Sequence, residues 1–282
     1  MKSFYYSSPL GKVHYLDNLR SELKEAIVFL HGFTGSSRDF FNIPDDIANH
    51  YRCLIPDLPG HGKTQVLETE TVFSTSGQVA LLASWLNSLK VHKIHLFGYS
   101  MGGRLAIQFA TKNSHYFNSL MLVSTTAGIE TDTERLARTQ TDLQIAKSIL
   151  DSTSIDFLKA WLLQPLFRNI AAKGDEFLQQ EVLRRMPIQP LGLVSSLKYF
   201  STGVMPPVWT QLNDIQIPTL VIAGSQDPKY LELAFQLANL IPHSILKILE
   251  TGHAPLIESP DLLWQQVHCF LKHQQIPGGE KI

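Results

Sequence analysis

Short, continuous apolar runs recur along this chain, and segments with apolar residues at helical spacing separate them. The runs cover 26–30, 52–55, 94–97, 120–123, 219–224 and 245–249. Continuous runs of this length are typical of strands buried on both faces of a parallel sheet. Helical spacing is found over 74–89, 231–240 and 260–272. The alternation predicts an α/β fold in which helices cover both faces of a mostly parallel sheet.

Two segments depart from this alternation. Residues 4–6 and 13–16 flank a Ser-Pro-Leu-Gly turn signal, which predicts an opening antiparallel hairpin and brings the expected sheet to eight strands. Residues 126–205 have helical patterns and no strand signal, and Pro165, Pro187 and Pro190 mark breaks between the predicted helices. We therefore predict a core domain made of 1–125 and 206–282, and a helical cap inserted at 126–205. The final residues, 277–282, are expected to fray.

Composition narrows the function classes. The 282 residues are 44% hydrophobic and 17% charged, and the net charge of −1 predicts no general attraction to nucleic acid or to an acidic membrane. We find no secretion signal and no run long enough to span a membrane, so we expect a cytoplasmic protein. Cys53 and Cys269 lie in apolar contexts, and we expect both to be buried without a redox or metal role. No metal-ligand cluster is visible, so no metal is expected.

The most specific chemical signal is the pattern Gly-x-Ser-x-Gly at 98–102, centred on Ser100. An apolar strand run precedes it and a small-residue helical run follows it, which is the context of a nucleophile elbow. Gly98 and Gly102 would allow strand and helix to approach closely. The helix N-terminus would then direct its N–H groups at whatever Ser100 attacks. Without this context the pattern also arises by chance.

A serine hydroxyl needs a histidine to take its proton and a carboxylate to orient that histidine. Asp227 follows the run at 219–224, and His253 follows the last predicted strand. Both would lie at the carboxyl ends of parallel strands, where sites form in open α/β sheets. The order Ser100, Asp227, His253 is that of α/β hydrolases. Taken singly, Asp227 could be a turn residue before Pro228, and His253 a packed loop histidine.

Arg104 lies one helical turn after Ser100, on the same face of the predicted helix. A cation in the first turn opposes the helix dipole, and an apolar helix at this place should be buried. An arginine that is unfavourable on both counts needs an anion nearby. That anion is either a carboxylate of the protein or a carboxylate of the substrate, held within reach of Ser100.

With these motifs, nearly every segment outside the predicted cap resembles the α/β-hydrolase superfamily. The resemblance implies that the backbone N–H groups of Phe33 and Met101 form an oxyanion hole. It also favours a structural role for His31 in the loop after the first buried strand. A serine at the elbow argues against the epoxide hydrolase and haloalkane dehalogenase branches, which have an aspartate there.

A narrower resemblance is to the 2-succinyl-6-hydroxy-2,4-cyclohexadiene-1-carboxylate synthase family. It rests on the elbow heptad 98–104, Glu-Arg-x-x-Arg-x-x-x-Asp at 134–142, the tryptophan before Gln164-Pro165, the segment 202–209, and Asp-Pro-Lys-Tyr at 227–230. The pair Ala254-Pro255 after the histidine departs from the family pattern. The resemblance implies that Arg104, Arg138 and Arg184 bind the carboxylates of the substrate. It also implies that Tyr99 and Trp161 line the substrate pocket.

The family reaction is an elimination and needs no cofactor. The resemblance implies that Ser100, polarised by His253, removes a ring proton, so that the enolpyruvyl group leaves as pyruvate in menaquinone or phylloquinone biosynthesis. The expected partner is a small polycarboxylate substrate, and the protein is expected to be a monomer or a weak homo-oligomer. A carboxylesterase or carbon–carbon bond hydrolase with the same triad is the main alternative. A ligand receptor without turnover is a third. Arg104 separates the first two, because a hydrolase of neutral esters should tolerate its loss.

Overall fold

Nine strands form the sheet in this computed structural model, which describes residues 1–23, 25–91 and 94–274. The strands are β1 (Lys2–Ser8), β2 (Gly11–Asp17), β3 (Ala26–Leu30), β4 (Arg52–Pro56), β5 (Gln65–Val66), β6 (Ile94–Tyr99), β7 (Phe117–Val123), β8 (Thr219–Gly224) and β9 (Ser244–Leu249). Eight of them follow the order β1-β2-β4-β3-β6-β7-β8-β9. The expectation for 277–282 lies outside the described residues.

The predicted α/β class, with a mostly parallel sheet, is confirmed. β1 and β2 form the antiparallel hairpin, and β2 is also antiparallel to β4. The other strands of the main order pair in parallel. The count of eight omitted β5, which pairs with β2 at Gly11 and Lys12. Two residues are too few to produce a periodic pattern, so the sequence carried no signal for this strand.

Twelve α-helices surround the sheet in the described part of the chain. They are α1 (Asp45–Ala48), α2 (Glu70–Phe73), α3 (Thr75–Ser88), α4 (Met101–Ala110), α5 (Asp132–Asp151), α6 (Ser154–Leu162), α7 (Arg168–Ala171), α8 (Asp175–Arg185), α9 (Pro190–Phe200), α10 (Pro228–Leu240), α11 (Pro255–Glu258) and α12 (Pro260–Gln274). Short 3₁₀ turns lie at Ser37–Phe40, Ser114–Tyr116, Pro165–Phe167 and Trp209–Asp214.

Two hydrophobic cores lie on opposite faces of the sheet. Successive side chains of a strand point to opposite faces, and β3 divides accordingly. Val28 belongs to one core, with residues of α3, α4 and α10. Ile27 and Phe29 belong to the other, with residues of α6, α8 and α12. Helices therefore cover both faces, and the carboxyl ends of the parallel strands stay open to the segment between β7 and β8.

Five helices, α5 to α9, fill the chain between β7 and β8, and we call them the cap helices. All of residues 126–205 are described, and they contain no strand. Gly192 in α9 meets the core loop at Gly60, which has a positive φ of 79°. A Cβ added to Gly60 would lie 2.4 Å from the Gly192 oxygen, so the two backbones touch. The exact division into core and cap domains stays a prediction.

The two cysteines differ in their surroundings. Cys53 is buried in β4, as expected, and burial raises the pKa of its thiol to about 12. The prediction that Cys269 is buried was wrong, because it is exposed on α12. That helix turns Leu263, Trp264 and Val267 to the core, and Cys269 falls on the opposite face. Among the described residues, none of the helices combines the length and apolar character needed to cross a membrane.

Candidate active site

The turn between β6 and α4 is a nucleophile elbow in its backbone geometry. Ser100 has φ 50° and ψ −108°, a conformation that non-glycine residues rarely adopt. Thr125 fixes it by donating a hydrogen bond of 2.8 Å to the Ser100 carbonyl. A Cβ on Gly98 would lie 2.6 Å from the Gly102 oxygen, and one on Gly102 would lie 2.2 Å from the Leu30 oxygen. Neither glycine can therefore carry a side chain without shifting the backbone.

The loops after β8 and β9 bring an acid and an imidazole to Ser100. The Ser100 Oγ lies 3.0 Å from His253 Nε2, and His253 Nδ1 lies 2.7 Å from Asp227 Oδ2. Asp227 and His253 are buried, with 7% and 1% of their surfaces exposed. A carboxylate accepts from Nδ1–H, so the neutral imidazole accepts the serine proton at Nε2. The three side chains predicted from sequence thus form one continuous hydrogen-bonded row.

The loop that carries His253 is held by Glu258 in α11. One Glu258 carboxylate oxygen accepts a hydrogen bond from the Gly252 N–H, and the other accepts one of 2.9 Å from the Ala254 N–H. Asn169 also donates to it, at 2.7 Å. The sequence analysis missed Glu258. Its signal was the Pro255 helix start, because a carboxylate in a first turn can accept from the amides just before it.

Aromatic rings surround the imidazole of His253. Tyr230 is nearest, with 4.3 Å between ring centroids, and Tyr99 and Phe167 lie at 5.8 and 5.9 Å. Burial raises the pKa values of Tyr99 and Tyr230, so both remain neutral phenols at physiological pH. The sequence predicted Tyr99 as a pocket residue but assigned no role to Tyr230 or Phe167. Only the tertiary fold brings these two rings to the histidine.

The loop after β3 passes beside Ser100. A Cβ on Gly32 would lie 3.7 Å from the Ser100 Cβ. Among the described residues, no acceptor is found for the backbone N–H of Phe33 or of Met101, the two predicted oxyanion donors. The Trp161 ring lies 5.2 Å from that of Phe33, so this predicted pocket residue covers the loop. Within the described residues, the N–H groups of Phe33 and Met101 are therefore unpaired and lie near Ser100.

Arg104 is without a carboxylate partner in the described part of the chain. No described Asp or Glu oxygen lies within 4.0 Å of its guanidinium. It donates instead to the Phe200 carbonyl at 2.8 Å and lies over the Phe200 ring, 5.1 Å from the centroid. Burial, with a smaller contribution from Arg138, lowers the pKa of Arg104 to about 10. Of the two alternatives, the internal salt bridge is not found for this arginine.

The two predicted cap arginines do have carboxylate partners. Arg138 Nε binds both oxygens of Asp142, at 2.8 and 2.9 Å. Arg184 binds Glu181 on its own helix and Asp39 in the core. Burial lowers the pKa of Arg184, but these two carboxylates raise it by more. A role for either arginine in binding substrate stays a prediction, and for Arg184 it would have to coexist with two ion pairs.

A cavity of about 460 Å³ opens beside Tyr230 and Arg138. Lys229 also lines it, as do Glu130 and Glu134, so its wall offers both cations and carboxylates. Threonine hydroxyl groups, including that of Thr202, complete the polar part of the wall. Since the Tyr230 ring also packs on His253, the cavity adjoins the Ser100 row. Within residues 1–23, 25–91 and 94–274, no group of three His, Cys, Asp or Glu side chains is arranged to hold a metal ion.

A second Ser–His–Asp row lies in the hairpin region. Ser3 Oγ is 2.7 Å from His14 Nε2, and His14 Nδ1 is 2.7 Å from Asp57 Oδ2. Its His–Asp distance equals that of the first row, and its Ser–His distance is shorter. Ser3, however, lies inside β1, paired with Leu16. It therefore lacks both a helix N-terminus and the strained turn of Ser100.

Comparisons with known proteins agree with this fold. A family profile described as the alpha/beta hydrolase fold matches residues 25–260. A Bacillus subtilis (strain 168) protein assigned as a 2-succinyl-6-hydroxy-2,4-cyclohexadiene-1-carboxylate synthase is 34% identical, over 88% of this chain and 90% of its own. The synthase of that name from Yersinia pestis bv. Antiqua is 30% identical, over 87% and 86%. The solved structure of MenH from S. aureus matches with a TM-score of 0.86 and 33% identity, covering 93% of this chain and 99% of its own. The chain therefore belongs to the alpha/beta hydrolase fold family and, within it, to the 2-succinyl-6-hydroxy-2,4-cyclohexadiene-1-carboxylate synthase family.

Proposed function

We propose that this member of the alpha/beta hydrolase superfamily is a carbon–oxygen lyase that works without a cofactor. It would eliminate pyruvate from 2-succinyl-5-enolpyruvyl-6-hydroxy-3-cyclohexene-1-carboxylate and release 2-succinyl-6-hydroxy-2,4-cyclohexadiene-1-carboxylate, a step of menaquinone or phylloquinone biosynthesis. The synthase names of the Bacillus and Yersinia relatives support this assignment.

In the proposed reaction, Ser100 and His253 act together as the base. As the Ser100 Oγ takes a proton from the ring, its own proton passes to His253 Nε2, 3.0 Å away. The electron pair of the broken C–H bond forms one ring double bond, the existing ring double bond shifts one position toward the ether carbon, and the C–O bond to the enolpyruvyl group breaks. The departing enolate takes up a proton and leaves as pyruvate. Asp227, 2.7 Å from Nδ1, stabilises the imidazolium that forms.

As the ring proton leaves, negative charge develops on the carbonyl oxygen of the succinyl group, next to the ring. The backbone N–H groups of Phe33 and Met101 would donate to that oxygen. Met101 also lies at the N-terminus of α4, where the positive end of the helix dipole stabilises negative charge. Donors that are already fixed in place need no reorganisation when the charge appears, so they stabilise the transition state more than the ground state.

Arg104 is the observation that carries the proposal. A partly buried cation without a carboxylate partner is unfavourable, and the lowered pKa of Arg104, about 10, reflects that cost. It still carries its charge at neutral pH. A substrate carboxylate one helical turn from Ser100 would supply the missing counter-charge. Arg138, whose Nε is paired with Asp142, would offer its remaining N–H donors at the wall of the adjoining cavity, with Tyr99 and Trp161 as apolar walls.

The test compares two substrates in wild type and Arg104→Ala. Pyruvate release from the enolpyruvyl substrate should fall by roughly 30- to 1,000-fold in kcat/KM, because a charge-assisted contact contributes about 2–4 kcal/mol. Cleavage of a neutral p-nitrophenyl ester should change little. Arg135→Ala is the matched control, because Arg135 also donates to a backbone carbonyl, that of Val204.

The main alternative, an esterase or a carbon–carbon bond hydrolase, predicts the opposite result. Fast ester cleavage without pyruvate release by the wild type would reverse the assignment. Failure of both reactions in a folded protein would favour a ligand receptor.

A further inference from the structure

A cavity of about 140 Å³ lies apart from the Ser100 row, where core loops meet the end of α8. Its core side includes Arg38 and Lys63, and its cap side includes Arg185 and Met186. We propose that this cavity binds a small oxyanion of the size of inorganic phosphate, and we call it the seam site. It shares no lining residue with the candidate active site.

The charges that line the seam site favour an anion. Arg38, Lys63 and Arg185 line it, and among the described lining residues the carboxylate is that of Asp57. Arg185 is balanced on its own helix by Glu181, at 2.7 Å. Arg38 and Lys63 thus share one carboxylate between them, which leaves an excess positive charge.

Asp57 is already committed to other donors. Its Oδ1 accepts from the Ser37 N–H at 2.6 Å, and its Oδ2 accepts from the Lys63 N–H and from His14 Nδ1, both at 2.7 Å. Burial would raise the pKa of Asp57, but these hydrogen bonds and the nearby His31 outweigh it and hold the pKa at about 2. No described salt bridge joins this carboxylate to the side chain of Arg38 or Lys63.

Hydrogen-bond donors at the seam site outnumber acceptors. Arg38 Nη1 donates to the Met186 carbonyl at 2.9 Å, which holds the guanidinium at the cavity. No acceptor among the described residues is found for the Lys63 ammonium. Arg185 is 8% exposed; its Nη1 donates to Glu181, and within the same set of residues no acceptor is found for its Nη2. An oxyanion supplies acceptors on all sides, so it fits these donors better than a neutral ligand.

The cavity size limits the ligand to a few atoms. A volume of 140 Å³ corresponds to about four or five water molecules at roughly 30 Å³ each, which suits a phosphate-sized group. Because Arg38 and Lys63 come from the core and Arg185 from α8, the bound anion would link the cap helices to the core.

The test measures the melting temperature during titration with inorganic phosphate at constant ionic strength, using sodium chloride as the balancing salt. The wild type should show a saturable rise of about 2 °C at ten times the Kd. Parallel titrations with pyruvate and acetate distinguish phosphate from short carboxylates as the preferred oxyanion. Isothermal titration calorimetry gives the Kd directly.

Three variants assign the site. Arg38→Gln/Lys63→Gln replaces two exposed side chains and should abolish the saturable rise. Lys112→Gln/Lys247→Gln removes the same charge from exposed positions elsewhere and should retain it. Arg104→Met should also retain it, which separates the seam site from the active site and from the proposed lyase reaction. A rise that survives in Arg38→Gln/Lys63→Gln, or a wild type that responds to oxyanions no more than to chloride, overturns the proposal.

Discussion

Ser100 and Ser3 each stand at the end of a Ser–His–Asp row, but their backbone conformations differ. Ser100 has a positive φ of 50° and precedes the N-terminus of α4. Ser3 lies in an ordinary strand, although its row through His14 has the shorter serine–histidine distance. A hydrogen-bonded row polarises a hydroxyl, but reaction also needs donors that converge on the developing charge. The N-terminus of α4 directs its amides at the site beside Ser100, whereas Ser3 lies inside the edge strand β1 with no described helix behind it.

Covalent labelling distinguishes the two rows. A fluorophosphonate probe should modify Ser100 in the wild type and in Ser3→Ala, and it should not modify Ser100→Ala. Mass spectrometry of the labelled peptides gives the position. Modification of Ser3 in the Ser100→Ala protein would contradict the argument that the elbow geometry decides reactivity.

His61 is a buried titratable group with a consequence for stability. It packs 5.1 Å from the His31 ring and 5.7 Å from the Phe33 ring, and its Nδ1 lies 3.0 Å from the Pro59 carbonyl. Burial, with His31 adding to it, lowers the pKa of His61 to about 3. Below about pH 6.5 the unfolded chain therefore takes up a proton that the folded protein does not.

Stability should consequently fall as the pH drops below 6.5, by up to about 1.4 kcal/mol per pH unit from this group. In His61→Gln, the free energy of unfolding should lose that part of its slope between pH 7.5 and 5.5. Urea denaturation at several pH values measures it. The same substitution at the exposed His243 is the control, and an equal slope in His61→Gln and wild type would contradict the prediction.

At the scale of elements, the short helix α11 positions the loop that carries His253. Glu258 accepts from the amides before and after His253, and Asn169 from α7 donates to Glu258. A four-residue helix has little stability of its own, so these contacts hold it in place. The imidazole orientation therefore depends on a carboxylate that touches neither Ser100 nor Asp227.

Replacing Glu258 with alanine leaves two partly buried amides without an acceptor. We expect kcat to fall by about 10- to 100-fold while KM changes little, since losing such a hydrogen bond costs about 1–3 kcal/mol. Steady-state kinetics with the enolpyruvyl substrate or an ester measure both constants. Glu250→Ala, at an exposed position on the same loop, should behave as wild type. An unchanged kcat in Glu258→Ala would show that the loop holds without this contact.

The main elements were largely predictable from sequence, because each has a local signal. Six apolar runs and the opening hairpin signal marked the eight main strands, and the glycines around Ser100 marked the elbow. Contacts between distant segments had no such signal. Tyr230 reaches His253 only through the approach of α10 to the loop after β9, and the exposure of Cys269 depends on which face of α12 meets the core. From sequence, Arg184 is indistinguishable from a solvated surface cation, because its partner Asp39 comes from a distant part of the chain.

On the scale of the whole molecule, ion pairs fasten the cap helices to the core. Arg184 on α8 binds Asp39 in the core and also Glu181, which in turn binds Arg185. Asp39 lies in the 3₁₀ turn that follows the loop of Phe33. The cap is therefore fixed to the segment that presents one of the proposed oxyanion donors.

Removing one member of this network should destabilise the protein. Arg184→Met should lower the free energy of unfolding by about 3 kcal/mol, because it leaves the buried Asp39 carboxylate unpaired and leaves Glu181 with Arg185 alone. Urea denaturation measures the loss. Arg184→Met/Asp39→Asn should lose less than the sum of the single variants, since the two groups interact. Additive losses, or a drop in kcat/KM without loss of stability, would favour the substrate-binding role of Arg184.

Gly60 and Gly192 meet backbone to backbone, with no room for a Cβ on either side. A cap segment transplanted from another α/β hydrolase must therefore bring a residue without a side chain to this crossing. The loop around Gly60 and helix α9 form one exchange unit. In a chimera whose junctions separate them, a side chain at this crossing would push the cap helices away from the sheet. Grafts intended to alter substrate range should therefore move the Gly60 loop and α9 together.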